Sequence, residues 1–148
     1  MIRYAAQYKV EPDGGFLVLV PSLGPEGITQ GDNLEEAREM ASDLVSCILT
    51  SAVLDHDKAD IHLGDSKLPE GFEWVYPEQK VVAAISVRAM RKAAGLSMQE
   101  AADRLNVTKS AYQKWENPEK CNAKIETLEK IAKAFSRQFT IEFSPTHA

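Results

Sequence analysis

The sequence predicts two folded parts in tandem: an α+β half over residues 1–80, in the order β-β-β-α-β, and an all-α half over residues 81–148 that ends in a short strand. Three observations carry this expectation. Apolar residues near the N-terminus alternate with period two and then change to the period of a helix, as in a small sheet covered by one helix. From residue 81 the pattern breaks into short helical blocks, several opened by a capping residue. Charge divides at the same place. Residues 1–80 hold 6 Lys and Arg against 15 Asp and Glu, and residues 81–148 hold 11 against 7, so the net −5 is −9 in one half and +4 in the other. A basic half suits a polyanion and an acidic half suits a cationic partner.

The remaining bulk properties narrow the class. A chain of 148 residues, 44% hydrophobic and 26% charged, fits one soluble domain or two small ones. No apolar run approaches the ~18 residues of a membrane span, and Met1-Ile2-Arg3-Tyr4 leads into a strand pattern rather than a signal peptide. Cys47 and Cys121 lack metal-ligand spacing and read as reduced thiols. The expectation is a cytoplasmic protein with no membrane partner.

In the first half, Ile2, Tyr4, Ala6, Tyr8 and Val10 share one face of a strand, opposite Arg3, Gln7 and Lys9. Glu11-Pro12-Asp13-Gly14-Gly15 reads as a hairpin turn, Phe16–Val20 as a central strand, Ser22–Gly27 as a loop and Ile28–Gln30 as a third strand. A helix starts at Asp32 or Asn33, and Asn33 with Glu36 three residues on fits a capping arrangement. Leu34, Ala37, Ala41, Leu44, Val45, Ile48 and Ala52 form its apolar stripe. Asp55–Gly71 is polar and turn-rich, Trp74-Val75-Tyr76 supplies a fourth strand, and Pro77–Lys80 connects the halves.

Val81–Ile85 suits either a strand or the lead-in to a helix. Val87–Ala94 is helical and stops at Gly95; Ser97 and Glu100 form a capping box for the next helix; Thr108 caps a third that ends near Pro118; and Ile125–Phe135 is a fourth. Phe139–Phe143 alternates as a strand does.

The segment Gly95-Leu96-Ser97-Met98-Gln99-Glu100-Ala101-Ala102-Asp103-Arg104-Leu105-Asn106-Val107-Thr108 resembles the helix-turn-helix of lambda-repressor/Cro-like regulators, and the resemblance spans about residues 86–136. Ala102 is small where two helices must approach closely. Asn106 stands where the turn needs left-handed φ, which asparagine tolerates best after glycine. Thr108 caps the recognition helix and leaves its N-terminus able to face DNA. Tyr112 and Trp115 occupy inward positions and belong to the core. By resemblance, Lys109, Ser110 and Gln113 reach base edges: Lys donates to guanine O6/N7 and Gln pairs with adenine N6/N7. Lys114 joins them or holds phosphate. Arg91 and Glu116 match a structural ion pair of the family. The family often has a phosphate-holding glutamine at the start of the second helix; this chain has Met98 there, with Gln99 one step along and pointing elsewhere. The candidate DNA-binding set is therefore Gln99, Thr108, Lys109, Ser110, Gln113 and Lys114. The final strand, through Phe139, Ile141 and Phe143, is expected to pair with a second copy, giving a homodimer or higher even oligomer on a palindromic operator.

In the first half, Tyr4, Gly14-Gly15-Phe16, Val20-Pro21, Thr29-Gln30-Gly31-Asp32 and Leu34-Glu35-Glu36-Ala37 resemble, in order and spacing, the HicB antitoxin pattern over about residues 2–55. That resemblance implies a partial ribonuclease H-like domain followed by a DNA-binding domain. It also implies a partner, a HicA-like ribonuclease toxin that is small and basic. The −9 half can compete for the positive surface such a toxin presents to RNA, with Glu35, Glu36 and Glu39 as candidate contacts. The implied function is an antitoxin that blocks the toxin and represses its own operon.

Enzyme chemistry finds little support. Glu11 and Asp13 flank a turn, where such residues serve local bonding, and no carboxylate cluster sits on matching strand positions for a two-metal nuclease. His56 and His62 among Asp55, Asp57 and Asp60 follow no ligand spacing. No phosphate loop or nucleophile elbow is present, so no catalytic residue, cofactor or metal is expected. The alternative function is a helix-turn-helix regulator whose first half senses a small molecule.

Overall fold

The computed structural model describes residues 1–55 and 61–146. The chain divides into two compact units, Met1–Glu78 together with the residues from Ser144, and Gln79–Phe143.

The first unit is a four-stranded antiparallel sheet covered by one long helix. Strands β1 (Tyr4–Val10), β2 (Phe16–Leu19), β3 (Ile28–Gly31) and β4 (Glu73–Val75) lie in the order β3-β2-β1-β4. β1 is shared along its length: Tyr4–Ala6 pairs with β4, and Gln7–Val10 pairs with β2. The first turn forms because Asp13 Oδ1 accepts from the N–H of Gly15 at 3.0 Å and Gly14 takes a φ of 92°.

Tyr4 and Ala6 are fully buried, as their alternation predicts. Two details differ. Ala5, on the opposite face, is also buried, because it faces Trp74 across the ladder and the Arg3 guanidinium stacks 3.9 Å above that indole. Val10 is 72% exposed, since the apolar alternation runs past the part of the sheet that the helix covers. Most of Ser22–Gly27, expected as a loop, winds with Pro21 into the 3-10 turns of Pro21–Glu26, which break at Gly24.

Helix α1 (Leu34–Leu54) starts where Asn33 Oδ1 accepts from the Glu36 N–H at 2.9 Å, and Glu36 in turn accepts from the Asp32 N–H at 2.6 Å. Its buried face is Ala37, Ala41, Val45, Ser46, Leu49 and Ala52. Alanine at three of these positions lets the helix lie close to the sheet, and Gly31 helps: a Cβ there would stand 2.5 Å from the Ala37 nitrogen. Leu44 and Ile48, expected in the core, are only half-buried, and Leu49 takes the inner place. Three polar ties fix α1 to the chain around β4. Arg38 grips Glu73 through two bonds of 3.0 and 2.7 Å; Ser42 Oγ donates to Tyr76 O; Ser46 Oγ accepts from Glu78 N–H.

The second unit holds α2 (Gln79–Ala93), α3 (Met98–Arg104), α4 (Lys109–Trp115) and α5 (Ile125–Ala134). The open choice at Val81–Ile85 resolves to helix, with Val81, Ala84, Ile85 and Val87 buried on one face. Gln79 and Lys80, expected in the connection, belong to α2. The core gathers Val87, Ala101, Ala102, Tyr112, Ile131 and Phe135. The last expected element differs: Phe139–Phe143 forms no strand among the described residues. A strand exists through its ladder bonds, and the helical unit contains no other strand to supply them.

Candidate nucleic-acid interface

The site rests on a hydrogen-bonded bihelical corner. Ser97 Oγ accepts from the Glu100 N–H at 3.1 Å while the Glu100 carboxylate accepts from the Ser97 N–H at 3.2 Å, the reciprocal box read from the sequence. Leu105 and Val107 N–H donate to Ala101 and Ala102 carbonyls, closing the turn between α3 and α4. Asn106 sits in this turn with φ of 56°, a left-handed conformation costly for a branched side chain. Thr108 Oγ1 then accepts from the Ala111 N–H at 3.1 Å and starts α4.

Helix α4 has two sides of opposite character. Tyr112 is fully buried and Trp115 packs against the core, with the two rings edge to face at 6.1 Å between centroids. Thr108, Lys109, Ser110, Gln113 and Lys114 are all exposed on the rest of the surface. The structure therefore brings five of the six candidate residues to one short helix and its cap. Gln99 lies on α3, exposed, with its amide nitrogen donating to Asp103 Oδ1 at 2.8 Å. Met98 leans on the core beside it.

Beneath the interface lies a buried ion pair. Arg91 Nε and Nη2 donate to the Glu116 carboxylate at 2.6 and 2.9 Å, and Nη1 donates to Leu96 O at 2.9 Å. The bond to Glu116 raises the pKa of Arg91 above its ordinary value, so the guanidinium stays charged. It joins α2 to the C-terminal end of α4 and carries the loop that leads into Ser97. Burial, with Glu116 alongside, pushes the Tyr112 phenol far above its ordinary range, so this ring is neutral at every working pH.

The other sequence candidates fall elsewhere. Glu35, Glu36 and Glu39 are exposed on α1, with Glu36 engaged at the helix cap. Ile141 is 59% and Phe143 94% exposed, while Phe139 is half-buried. Asp13 serves its turn. His56, Asp57 and Asp60 lie outside the described residues, and no group of three or more potential metal ligands occurs among the described ones. No described helix is long and apolar enough to cross a membrane.

A cluster the sequence did not reveal surrounds Asp65. Its Oδ2 accepts from the Ala5 N–H at 2.8 Å and from Ser22 Oγ at 3.0 Å, and its Oδ1 lies 2.7 Å from His62 Nε2. Tyr4 donates its hydroxyl to His62 O at 2.6 Å. Burial alone would raise the Asp65 carboxyl, but these donors hold it below its ordinary value. Burial and the Asp65 charge push Tyr4 up to about 12. The cluster pins the 62–65 segment to β1, and its bonds to Tyr4, Ala5 and Ser22 are all distant in sequence. Its one local signal is the i, i+3 pairing of His62 with Asp65.

Comparison with known proteins agrees with both units. Residues 87–140 match the family described as Helix-turn-helix. Over 140 residues the chain is 28% identical to "Antitoxin HicB 1" of Photorhabdus laumondii subsp. laumondii, covering 95% of this chain and 86% of that protein. That similarity runs through the sheet unit as well as the helical one.

Proposed function

We propose that this chain is an antitoxin with a DNA-binding half. Its sheet unit binds and blocks a HicA-like RNA-cleaving toxin by occlusion, and its helical unit dimerises on operator DNA and represses its own operon. The observation that carries the reading is the two-sided α4: Lys109, Ser110, Gln113 and Lys114 face solvent while Tyr112 is sealed beneath them. A recognition helix in a major groove needs that arrangement. The similarity to a HicB antitoxin over 95% of the chain supports the toxin-facing role of the other unit.

A groove of about 600 Å³ within the helical unit, lined by Val82, Met90, Leu128, Phe139 and Ile141 among others, supports the dimer. It offers apolar seating for the exposed tail of a second copy. The small-molecule-sensing alternative gains no observation of this kind. The cleft beside Ser22, Asp65 and Phe72 presents a carboxylate whose oxygens are already engaged within the unit.

Fluorescence anisotropy with DNA from upstream of the chain's own gene tests the DNA half. The parent chain is expected to bind it far more tightly than scrambled DNA, and Lys109→Ala with Gln113→Ala to remove most of the difference. Equal affinity for both DNAs, or a variant that binds as the parent does, would sink this part of the proposal.

A further inference from the structure

Helix α1 carries a second apolar stripe that its own core does not use. At about 100° per residue, Met40, Leu44, Cys47 and Leu54 fall on one side of the helix at heptad spacing, with the polar Ser51, whose hydroxyl donates to Asp55, in the remaining position. That spacing is the seam against which a partner helix packs. The neighbouring face, with Ala37, Ala41, Val45 and Leu49, is at most 1% exposed. On the stripe Met40 is 39% and Leu54 41% exposed, Cys47 is exposed and Leu44 is half-buried.

The outer margin of this stripe is acidic. Glu36, Glu39 and Asp43 stand along it, all exposed. The single cation of the helix is Arg38, and its guanidinium is held by Glu73. Isolated surface apolar residues need no explanation, but a seam of regular spacing beside a rim of one sign is a built surface. The rim also selects the occupant. A second copy meeting this stripe by two-fold symmetry would set the same carboxylates against each other. A basic chain would bring cations to them.

We infer that the Met40–Leu44–Cys47 stripe, with Glu36, Glu39 and Asp43 at its rim, is the surface on which the sheet unit seats its basic protein partner. An apolar ridge of that partner covers the stripe, and its Lys and Arg residues meet the rim. The inference rests on the antitoxin reading and adds where the toxin docks. It also moves the centre of contact from Glu35 to the opposite flank of α1.

Cys47 provides the test. It is the exposed thiol of the two, Cys121 being 7% exposed. The full chain is treated with a maleimide, free and as the stoichiometric complex isolated from native cells. Labelling of Cys47 is expected to slow at least ~10-fold in the complex. Met40→Lys and Asp43→Lys, both at exposed positions, are expected to weaken the complex to a similar degree and leave thermal unfolding and DNA binding unchanged. A stoichiometric complex with a basic chain in which Cys47 reacts as in the free chain, or which both variants form normally, overturns the docking surface and leaves the antitoxin reading standing. Protection that grows with concentration of the chain alone assigns the stripe to a second copy and also overturns it. Absence of any basic partner removes the antitoxin reading, and the inference with it.

Discussion

At the scale of single residues, the side chains on α4 divide by what they can read. Gln113 can make a bidentate pair with adenine, and Lys114 at the side of the helix suits phosphate. Gln113→Ala is expected to cost ~1–3 kcal/mol on the preferred DNA and little on other sequences. Lys114→Ala is expected to weaken all sequences alike and to reduce the salt dependence by about one counterion. Anisotropy titrations at several salt concentrations separate the two. Asp65 gives a pH signature in the other unit. Its carboxyl is depressed from an ordinary value of 3.8, so it favours the folded state above that pH, and the contribution disappears as pH falls through the lowered value. Asp65→Asn is expected to lower the melting temperature at pH 7 and to flatten the loss of stability below pH ~4. An unchanged acid limb in the variant would show that the cluster does not couple to folding.

At the scale of elements, the caps and the buried pair set how firmly α4 is presented. Thr108→Ala removes one capping bond and is expected to cost ~1 kcal/mol of stability. Arg91→Ala leaves Glu116 buried and unpaired, and is expected to cost ~3–5 kcal/mol in chemical denaturation. These features were legible in the sequence because they are local or belong to a motif: Ser97 with Glu100, Thr108 before a helix, and Asn106 in a turn that needs left-handed φ. Elsewhere local signals ran out. Val81-Val82-Ala83-Ala84-Ile85 has the β-branched content of a strand, and only packing made it helix. Arg38 with Glu73 and Asp65 with Ala5 join residues 35 and 60 positions apart, which no periodicity reports. The alternation of Phe139–Phe143 was real, but a strand also needs a neighbour, and within one chain none is described. Ile141→Asp with Phe143→Asp is expected to convert the proposed dimer to monomer in light scattering and leave the helical content intact. A dimer that survives both charges would place the contact elsewhere.

At the scale of the whole molecule, opposite charge is distributed between two units that fold around separate cores. The acidic balance of residues 1–80 and the basic balance of residues 81–148 suit a chain with one cationic and one polyanionic partner. The similarity to a HicB antitoxin spans both units, as the proposed protein of two binding roles requires. The most direct test of that account is isolation of the tagged full chain from its native cell, with every co-purifying chain identified and assayed for RNA cleavage after separation. The account predicts one small basic chain in stoichiometric amount, silent in the complex and RNA-cleaving once this protein is removed. Recovery of this protein with DNA alone would contradict the antitoxin role and leave only a DNA-binding regulator.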